Sequence, residues 1–373
     1  MQLSLSEPIN AQRTSQTCRS RFSQERVSST GELYGHSSVC EADGAVPKLP
    51  KLHVIGTPIV DRDSPVPGPA ALVPPASEAD VDLLCEMLLA ARPLGGALVI
   101  TGAGCSTESD IPDYRGPRGA YTTGFKPMTH QTFMKSEENR SRYWMRSYAG
   151  WHRFSNVEPN DAHKSIARLQ SKGFIDKVIT QNVDRLHHKA GSRSDGVLEL
   201  HGTTHEVICL TCQALTPREE IQRLLSRYNA PSIHPRGYVA DQKSFREPQS
   251  LRDGNQQRPD GDVEVDGQGF VVPPCPSCGG ILKPDVVFFG DSVPKGRSRR
   301  ALELAQQAAY LLVVGSSVTV FSAFRLVKAA KDNGAQIGIL NFGNTRADDL
   351  ADWIIQGRAG DALSRVVERL NTM

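Results

Sequence analysis

Apolar residues first recur at a regular spacing just after residue 77, and the spacing is that of a helix. Ser77 precedes this stretch, and Asp80 stands where the acidic residue of a capping box belongs. The pair Gly95–Gly96 follows, and glycine is unfavourable inside a helix. The pattern therefore predicts a core helix that Ser77 opens and that ends at the 93–96 segment.

Short apolar runs farther along the chain predict buried strands, because each is brief and bounded by small or polar residues. The runs are 97–100, 177–180, 197–200, 310–314 and 336–340. Helical patterns at 162–170, 322–330 and 361–371 separate or follow them. Since strands and helices alternate, the sequence predicts an α/β fold with a mostly parallel, doubly wound sheet. The segment 286–290 is expected to bring the chain back into this domain after a long excursion.

Small or polar residues follow each of these runs. The carboxyl ends of parallel strands meet at one edge of a sheet, and ligands bind there. The sequence therefore predicts a ligand site at this edge. Its candidate residues are Gly102, Ala103, Gly104, Gln181, Asn182, Asp184, His201, Gly315, Ser316, Ser317, Asn341, Phe342 and Gly343.

The turn Gly102-Ala103-Gly104 favours a dinucleotide as that ligand. Glycines let the backbone approach a ligand closely, and amide groups at the start of a following helix suit phosphate oxygens. The turn is not a complete G-x-G-x-x-G motif, because Thr107 occupies the position of the third glycine. Taken alone, this turn is weak evidence.

Two C-x-x-C pairs, Cys209 with Cys212 and Cys275 with Cys278, predict a metal site. Four thiolates saturate a tetrahedral zinc ion, so the site would be structural, and a redox role for one pair is the alternative. The interval between the pairs is much longer than the roughly 15–20 residues of a plain zinc ribbon. We therefore expect residues 229–269, which are rich in polar residues, proline and glycine, to loop out as an insertion.

The composition of the chain limits the kinds of partner that it could bind. The chain has 373 residues, 39% of them hydrophobic, and a formal net charge of +2, so bulk charge gives no sign of nucleic-acid binding. No apolar run approaches the roughly 18 residues of a membrane span. Of the eight cysteines, four stand singly, which is typical of a reducing compartment and not of a disulfide scaffold. We expect neither a nucleic-acid nor a membrane partner.

Residues 1–76 differ in amino-acid composition from the rest of the chain. The first 40 contain nine serines and four arginines, as an organelle transit peptide does, but Glu7, Glu25 and Glu32 depart from that pattern. A disordered tail without a targeting role is the alternative interpretation. The proline-rich segment 65–75 is expected to be a linker.

The string 102–115 resembles the motif that sirtuins, the NAD-dependent protein deacylases, carry after their first strand. The segments 181–187, 201–202, 283–290 and 315–317, the four paired cysteines and Asn341 also resemble sirtuin motifs and occur in sirtuin order. The resemblance covers about residues 77–370. Within the family it is closest to the class II, sirtuin-4-like branch, and residues 257–262 resemble the plant-type members of that branch.

The resemblance implies a Rossmann-like domain with a small zinc-binding and helical module, and with NAD and acyl-lysine in the cleft between them. It places a catalytic domain at 77–373, a helical insertion at about 116–160 and a zinc module at about 203–283. The implied cofactors are NAD and zinc. The implied partners are acylated protein lysines, and the chain is expected to be a monomer located in the mitochondrial matrix. Chloroplast, cytoplasm and nucleus are the alternative locations.

The resemblance also assigns roles to individual residues. His201 and Asn182 would be catalytic, and Val287, Phe289 and Gly290 would contact the substrate. The residues implied to bind NAD are Gly102, Ala103, Gly104, Ile111, Asp113, Arg115, Gln181, Asn182, Asp184, Gly315, Ser316, Ser317, Asn341, Phe342, Gly343 and Ala359. Cys209, Cys212, Cys275 and Cys278 would bind zinc.

The implied chemistry begins with loss of nicotinamide from NAD and attack of the acyl oxygen on the ribose. His201 then accepts the proton of a ribose hydroxyl, a role that suits a neutral imidazole. Two alternatives are a protein ADP-ribosyltransferase, which cleaves NAD in the same way, and a non-catalytic NAD- or zinc-binding module. The presence of His201, Asn182 and Asp184 disfavours the non-catalytic module.

Two residues depart from the family pattern. Asp110 stands where glycine is usual, and Cys105 stands where an apolar residue is usual. Aspartate tolerates a left-handed backbone better than most residues, so we expect the loop to form with Asp110 facing away from the nucleotide. Cys105 is expected to be a small buried filler, and a thiol that blocks NAD binding when oxidised is the alternative.

Overall fold

The computed structural model describes residues 73–116, 119–122, 124–229, 258–265 and 269–372. The predicted tail, except for its last few residues, lies outside this part of the chain. So does most of the predicted insertion between the cysteine pairs.

A six-stranded parallel sheet forms the centre of the larger domain. Its strand order is β3-β2-β1-β7-β8-β9, which reverses between β1 and β7. The strands are β1 (Ala97–Thr101), β2 (Ile175–Thr180), β3 (Val197–Glu199), β7 (Tyr310–Val314), β8 (Gln336–Leu340) and β9 (Trp353–Ile355). The predicted doubly wound α/β fold is therefore confirmed, and β9 is an additional edge strand that the sequence patterns did not indicate.

Helices cover both faces of this sheet, since successive strand residues point to opposite sides. On one face, Val99 and Leu312 pack against α1 (Glu78–Ala91), α4 (Asp161–Ser171) and α9 (Ala359–Thr372). On the other, Leu98 and Val313 pack against α7 (Lys295–Gln307) and α8 (Phe321–Asp332). Burial on both faces explains why these strands are continuous apolar runs.

Helix α1 confirms the predicted capping box. The Ser77 hydroxyl accepts a hydrogen bond from the Asp80 amide at 3.1 Å, and an Asp80 carboxylate oxygen accepts from the Ser77 amide at 2.9 Å. A short 3-10 turn, Arg92–Leu94, then leads to left-handed Gly95 with a φ of 97°. The chain reverses there and enters β1.

A smaller antiparallel sheet, in the order β5-β4-β6, belongs to a second module. Its strands are β4 (Gly202–Cys209), β5 (Leu215–Pro217) and β6 (Leu282–Val286). Helices α2 (His130–Lys135), α3 (Glu137–Ser155) and α6 (Arg218–Tyr228) pack with it around Phe133, Trp144 and Phe288. Tyr143 and Trp144 of α3 therefore belong to the core of this module.

Two expectations about this region are wrong. Val286 is still part of the small sheet, where it pairs with Gly202, so the chain has not yet re-entered the large domain at that point. Residues 258–265 do not loop out: Arg258 stacks on the Phe125 ring at 3.8 Å, and Asp262 forms an ion pair with Arg146 at 3.2 Å. Buried charge pairs of this kind hold the segment against α3.

Among the residues that the structure describes, no helix has both the length and the apolar character of a membrane span.

Candidate active site

A cleft of about 1390 Å³ lies at the point where the strand order reverses. The ends of β1 and β7 diverge there, and residues 103–104 and 315–317 line the opening. Loops that follow neighbouring strands on opposite sides of a reversal leave a crevice between them, and dinucleotides bind in such crevices. The fold therefore positions the predicted ligand site before any side chain is considered.

Close backbone packing at this crevice requires glycine. A Cβ atom at Gly102 would lie 2.6 Å from Ser316 Oγ, and one at Gly104 would lie 2.8 Å from the Gly315 carbonyl oxygen. Gly315 has a φ of 56°, in the left-handed region. The segment after Gly102, Ala103–Ser109, is a 3-10 helix. The predicted helix start is therefore present, but as a tighter helix than an α-helix.

Asn182 and Asp184 are held by one serine hydroxyl. Asn182 Nδ2 donates to Ser106 Oγ at 2.9 Å and to the Gly102 carbonyl oxygen at 3.0 Å. Ser106 Oγ donates in turn to Asp184 Oδ2 at 2.7 Å, and Asp184 Oδ1 accepts from the Leu186 amide at 2.9 Å. All three side chains are buried. Their hydrogen bonds fix Asn182 and Asp184, both implied to bind NAD, relative to the glycine turn.

His201 lines the cleft. Its Nδ1 lies 3.2 Å from the Gln181 carbonyl oxygen, which can only accept, so Nδ1 carries the proton. The Ser322 hydroxyl donates to the other nitrogen, Nε2, at 2.8 Å. Burial lowers the pKa of His201 to about 4, with a smaller contribution of the same sign from Arg297 and an opposing one from the Gln181 carbonyl. The imidazole is therefore neutral at pH 7, with its lone pair at Nε2.

The far end of the cleft is formed by the loops after β8 and β9. Asn341 Nδ2 donates to the carbonyl oxygens of Phe342 and Gly343, which fixes the turn, and Phe342 is 43% exposed. Ala359 begins α9 there, and the Gly360 amide donates to Glu108 of the 3-10 helix at 2.9 Å. These residues place a flat hydrophobic ring and a carboxamide at one end of the crevice.

Two aromatic rings, Tyr114 and Phe289, line the opposite wall, and the Tyr121 ring lies against both of them. Tyr114, Tyr121 and Phe289 contact one another, with centroid distances of 5.7 to 6.2 Å. The Val287 amide donates to the His201 carbonyl oxygen at 2.8 Å, so this segment is anchored beside the histidine. Gly290, at a φ of 78°, follows at the rim. An apolar chain entering along this wall would reach His201.

The structure brings nearly all of the predicted residues together. The following line the cleft: Ala103, Gly104, Ile111, Asp113, Arg115, Gln181, Asn182, His201, Val287, Phe289, Gly290, Gly315, Ser316, Ser317, Asn341, Phe342, Gly343 and Ala359. Gly102 and Asp184 do not line it; they lie just behind its wall, in contact with Ser316 and Ser106 respectively.

Sequence reasoning missed several residues of this site. Ser106, Tyr114 and Ser322 had no assigned role, although Ser106 and Tyr114 belong to the first motif. Asp260 lines the cleft as well, and burial raises the pKa of its carboxyl. No sequence signal could have placed Asp260 there, because its segment returns from the long insertion.

Asp110 adopts the predicted left-handed conformation, with a φ of 61°. Its side chain is exposed at the cleft rim. Cys105 is fully buried, as expected of a filler residue, and burial raises the pKa of its thiol.

The four paired cysteines converge as predicted. Cys209 Sγ and Cys278 Sγ are 3.5 Å apart, and Cys212 Sγ and Cys275 Sγ are 3.9 Å apart. A tetrahedral zinc ion with Zn–S bonds of about 2.3 Å separates its sulfurs by about 3.7 Å. The four thiols therefore fit zinc, and such a closed site contributes folding stability, not chemistry.

Comparison with known proteins agrees with this geometry. Residues 102–322 match the Sir2 family. The chain is 46% identical over 306 residues to the NAD-dependent protein deacylase SRT2 of Arabidopsis thaliana, covering 80% of this chain and 79% of that protein. It is 42% identical over 303 residues to the NAD-dependent protein deacylase Sirt4 of Drosophila melanogaster, covering 80% and 90%.

Solved structures of Sir2 proteins are also similar to this chain. A Sir2 complex with a p53 peptide and NAD⁺ superposes with a TM-score of 0.57 at 27% identity, covering 79% of this chain and 99% of that one. The chain belongs to the Sir2 family. Its enzyme class is NAD-dependent protein deacylase, and plant and Sirt4 members are among its relatives, in agreement with the sequence motifs.

Proposed function

We propose that this chain removes acyl groups from protein lysines with His201 as its general base and Asn182 as its second catalytic residue. The observation that carries the proposal is the neutral His201 imidazole in the cleft, whose lone pair at Nε2 accepts a hydrogen bond from the Ser322 hydroxyl, a place that the ribose hydroxyl would take. NAD supplies the ribose that receives the acyl group and the nicotinamide that leaves. His201 takes a proton at Nε2, and the Gln181 carbonyl oxygen holds the imidazole in the required tautomer.

The nicotinamide end of NAD is proposed to lie against Asn182 and Ile111. The amide of Asn182 is oriented by Ser106 and Gly102, so it is fixed before NAD arrives. Ile111 is buried and supplies an apolar contact. Asp184 lies behind the wall of the cleft, where its carboxylate accepts a hydrogen bond from Ser106 and orients that hydroxyl. Preorganisation of this kind lowers the entropy cost of placing the reacting groups.

The phosphates and the adenosine are proposed to occupy the remainder of the crevice. The backbone of residues 102–104 and 315–317 would contact the phosphates, and Gln181 Nε2 holds Ser316 Oγ in place at 2.7 Å. Asn341, Phe342, Gly343 and Ala359 would hold the adenosine end. Asp113 and Arg115 would contact NAD from the loop, where the Arg115 guanidinium stacks on the Tyr121 ring at 5.3 Å.

The acyl-lysine is proposed to enter along the aromatic wall. Phe289 and Gly290 would flank the lysine chain, and the Val287 carbonyl oxygen would accept from its nitrogen. The rings of Tyr114, Tyr121 and Phe289 would exclude water from the reacting carbon.

A panel of acyl-lysine peptides with NAD tests this proposal. The expected products are nicotinamide, deacylated peptide and acyl-ADP-ribose. A protein labelled with ADP-ribose and no acyl-ADP-ribose would instead establish the ADP-ribosyltransferase alternative. His201→Gln is expected to abolish turnover, and His152→Gln, a change at an exposed histidine of α3, is the matched control.

We further propose that the catalytic domain spans residues 77–373, acts as a monomer and is delivered to the mitochondrial matrix by the first 76 residues. The Arg- and Ser-rich composition of that segment supports the location. Deletion of residues 1–70 should leave peptide deacylation unchanged and alter the location of a tagged protein. Loss of activity on deletion would mean that the tail is part of the catalytic domain.

A further inference from the structure

Cys105, His163 and His187 lie together beside Ser106, and each is at least 98% buried. Cys105 Sγ and one nitrogen of each ring all lie within 4.8 Å of one another, and the two ring centroids are 4.8 Å apart. These three residues, the Cys105 cluster, come from the 3-10 helix, from α4 and from α5 (Leu186–Lys189). They are separate from the four cysteines that fit structural zinc.

The tautomer of His187 leaves one lone pair uncommitted. Thr101 Oγ1 donates to Thr180 Oγ1 at 2.9 Å, so it must accept from His187 Nε2, which is 3.0 Å away. Nε2 therefore carries the proton, and Nδ1 carries the lone pair. That buried Nδ1 has no hydrogen-bond partner among the described residues. A buried polar atom without a partner is costly, and it points to a missing ligand.

The tautomer of His163 leaves a second lone pair. Asn160 Oδ1 accepts from the amides of Ala162 and His163, which identifies it as the oxygen of the side chain. It also lies 2.9 Å from His163 Nδ1, so Nδ1 carries the proton. The lone pair is at Nε2, 3.5 Å from Ser106 Oγ, whose own proton goes to Asp184.

A thiol and two imidazole lone pairs form a ligand set suited to zinc. We propose that Cys105, His163 and His187 bind a second Zn²⁺ ion and that this ion inhibits the enzyme. On binding, the Cys105 thiol proton leaves to solvent and a sulfur–zinc bond forms. Zinc bonds of about 2.3 Å to sulfur and 2.0 Å to nitrogen would draw the three ligand atoms closer together than their present spacing of up to 4.8 Å. Thr101 and Asn160 act as the outer partners that orient the two rings, as is usual for metal-bound histidines.

Inhibition follows from the position of the cluster and rests on the proposed function. Ser106 is adjacent to Cys105 in the chain and holds both Asn182 and Asp184. A divalent ion beside Ser106 attracts the Asp184 carboxylate and disturbs the hydrogen bonds that orient Asn182. Because the cluster is buried, the ion enters only when the 3-10 helix opens, so inhibition should develop slowly. Helices of that type have poorer hydrogen-bond geometry than α-helices.

Zinc stoichiometry tests the site without reference to activity. The purified protein is dialysed against a zinc buffer, and bound zinc per chain is measured by atomic emission. Two zinc ions are expected for the unmodified chain and one for Cys105→Val, which restores the apolar character usual at this position. Cys85→Ala removes another buried cysteine, on α1, and should still bind two. Cobalt substitution should give a thiolate charge-transfer band in addition to that of the four-cysteine site, and Cys105→Val should lack only this additional band.

Activity tests the inhibitory role. Micromolar zinc should slowly reduce deacylation by the unmodified chain and by Cys85→Ala. Exchange into zinc-free buffer, which leaves the four-cysteine site loaded, should restore it. Cys105→Val should need at least tenfold more zinc for the same inhibition, with unchanged activity in its absence. If Cys105→Val does not fold, Cys105→Ser serves in its place. One zinc ion per unmodified chain, or equal zinc binding by the Cys105 variants, would overturn the site. Two ions without inhibition would overturn the inhibitory role alone.

Discussion

The Ser322 hydroxyl donates a hydrogen bond to His201 Nε2 across 2.8 Å, although 121 residues separate the two in the chain. Ser322 is the second residue of α8, and His201 follows β3, so packing of one helix against the sheet sets this distance. The contact stabilises the neutral imidazole, because a lone pair that accepts a hydrogen bond resists protonation. The Ser322 hydroxyl therefore occupies Nε2, the nitrogen that would act as the base.

The pH dependence of the rate follows from this environment. A base must be neutral, and the pKa of His201 lies near 4, below the ordinary value of 6.5. His201 therefore stays neutral between pH 7.5 and 5.5, and its titration should change kcat/KM less than about twofold over this range. In Ser322→Ala the acidic limb should stay well below pH 6.5, because burial is the main cause of the low pKa. Zinc content and circular dichroism at each pH monitor the folded state, and a limb near 6.5 in the unmodified enzyme would contradict this assignment.

The Ser106 hydroxyl should be essential although it does not line the cleft. Ser106→Ala removes the partner of both Asn182 and Asp184, which leaves buried polar groups at a cost of about 1–3 kcal/mol. We expect kcat, measured by steady-state kinetics, to fall at least tenfold, and the free energy of unfolding in urea to fall by about 1–3 kcal/mol. Ser109→Ala is the control, since the described residues give Ser109 Oγ no hydrogen bond. Equal effects of the two changes would contradict the role of Ser106.

Gly102→Ala should weaken NAD binding. The added methyl group would lie 2.6 Å from Ser316 Oγ and 2.7 Å from its Cβ, so the loops after β1 and β7 must separate. We expect the KM for NAD to rise at least tenfold, with little change in the KM for peptide. Gly296→Ala is the matched control. Gly296 lies in α7, a Cβ atom added there would meet open space, and alanine favours a helix. An unaltered KM for NAD in Gly102→Ala would show that the crevice does not bind it.

Loss of one zinc ligand should unfold the smaller module. Cys275→Ser removes a thiolate from the site that joins β4 to the segment before β6, and structural zinc contributes directly to folding. We expect little soluble protein, no bound zinc at this site and a lower melting temperature. Addition of a chelator to the unmodified protein should have the same effect. A soluble, fully active Cys275→Ser protein that lacks this zinc would disprove the assignment.

Local patterns determined much of this protein. The Ser77 cap, the five apolar runs and the spacing of the cysteine pairs are properties of short segments, and each is confirmed. The strand-end residues could be assembled into one site because the carboxyl ends of parallel strands share one edge of a sheet. The sequence by itself therefore specified the large domain, the edge of the sheet at which the cleft lies and most of the residues that line it.

Only the tertiary structure decided which side chains meet across long chain separations. The contacts of Ser322 with His201, of Ser106 with Asn182 and Asp184, and of Cys105 with His163 and His187 join segments that no periodicity relates. The return of Asp260 to the cleft depends on ion pairs and ring stacking between Arg258, Phe125 and Arg146. Periodicity records only which face of an element is buried. The partner of a buried polar group is set by the packing of whole elements, because every buried donor and acceptor must be satisfied at once.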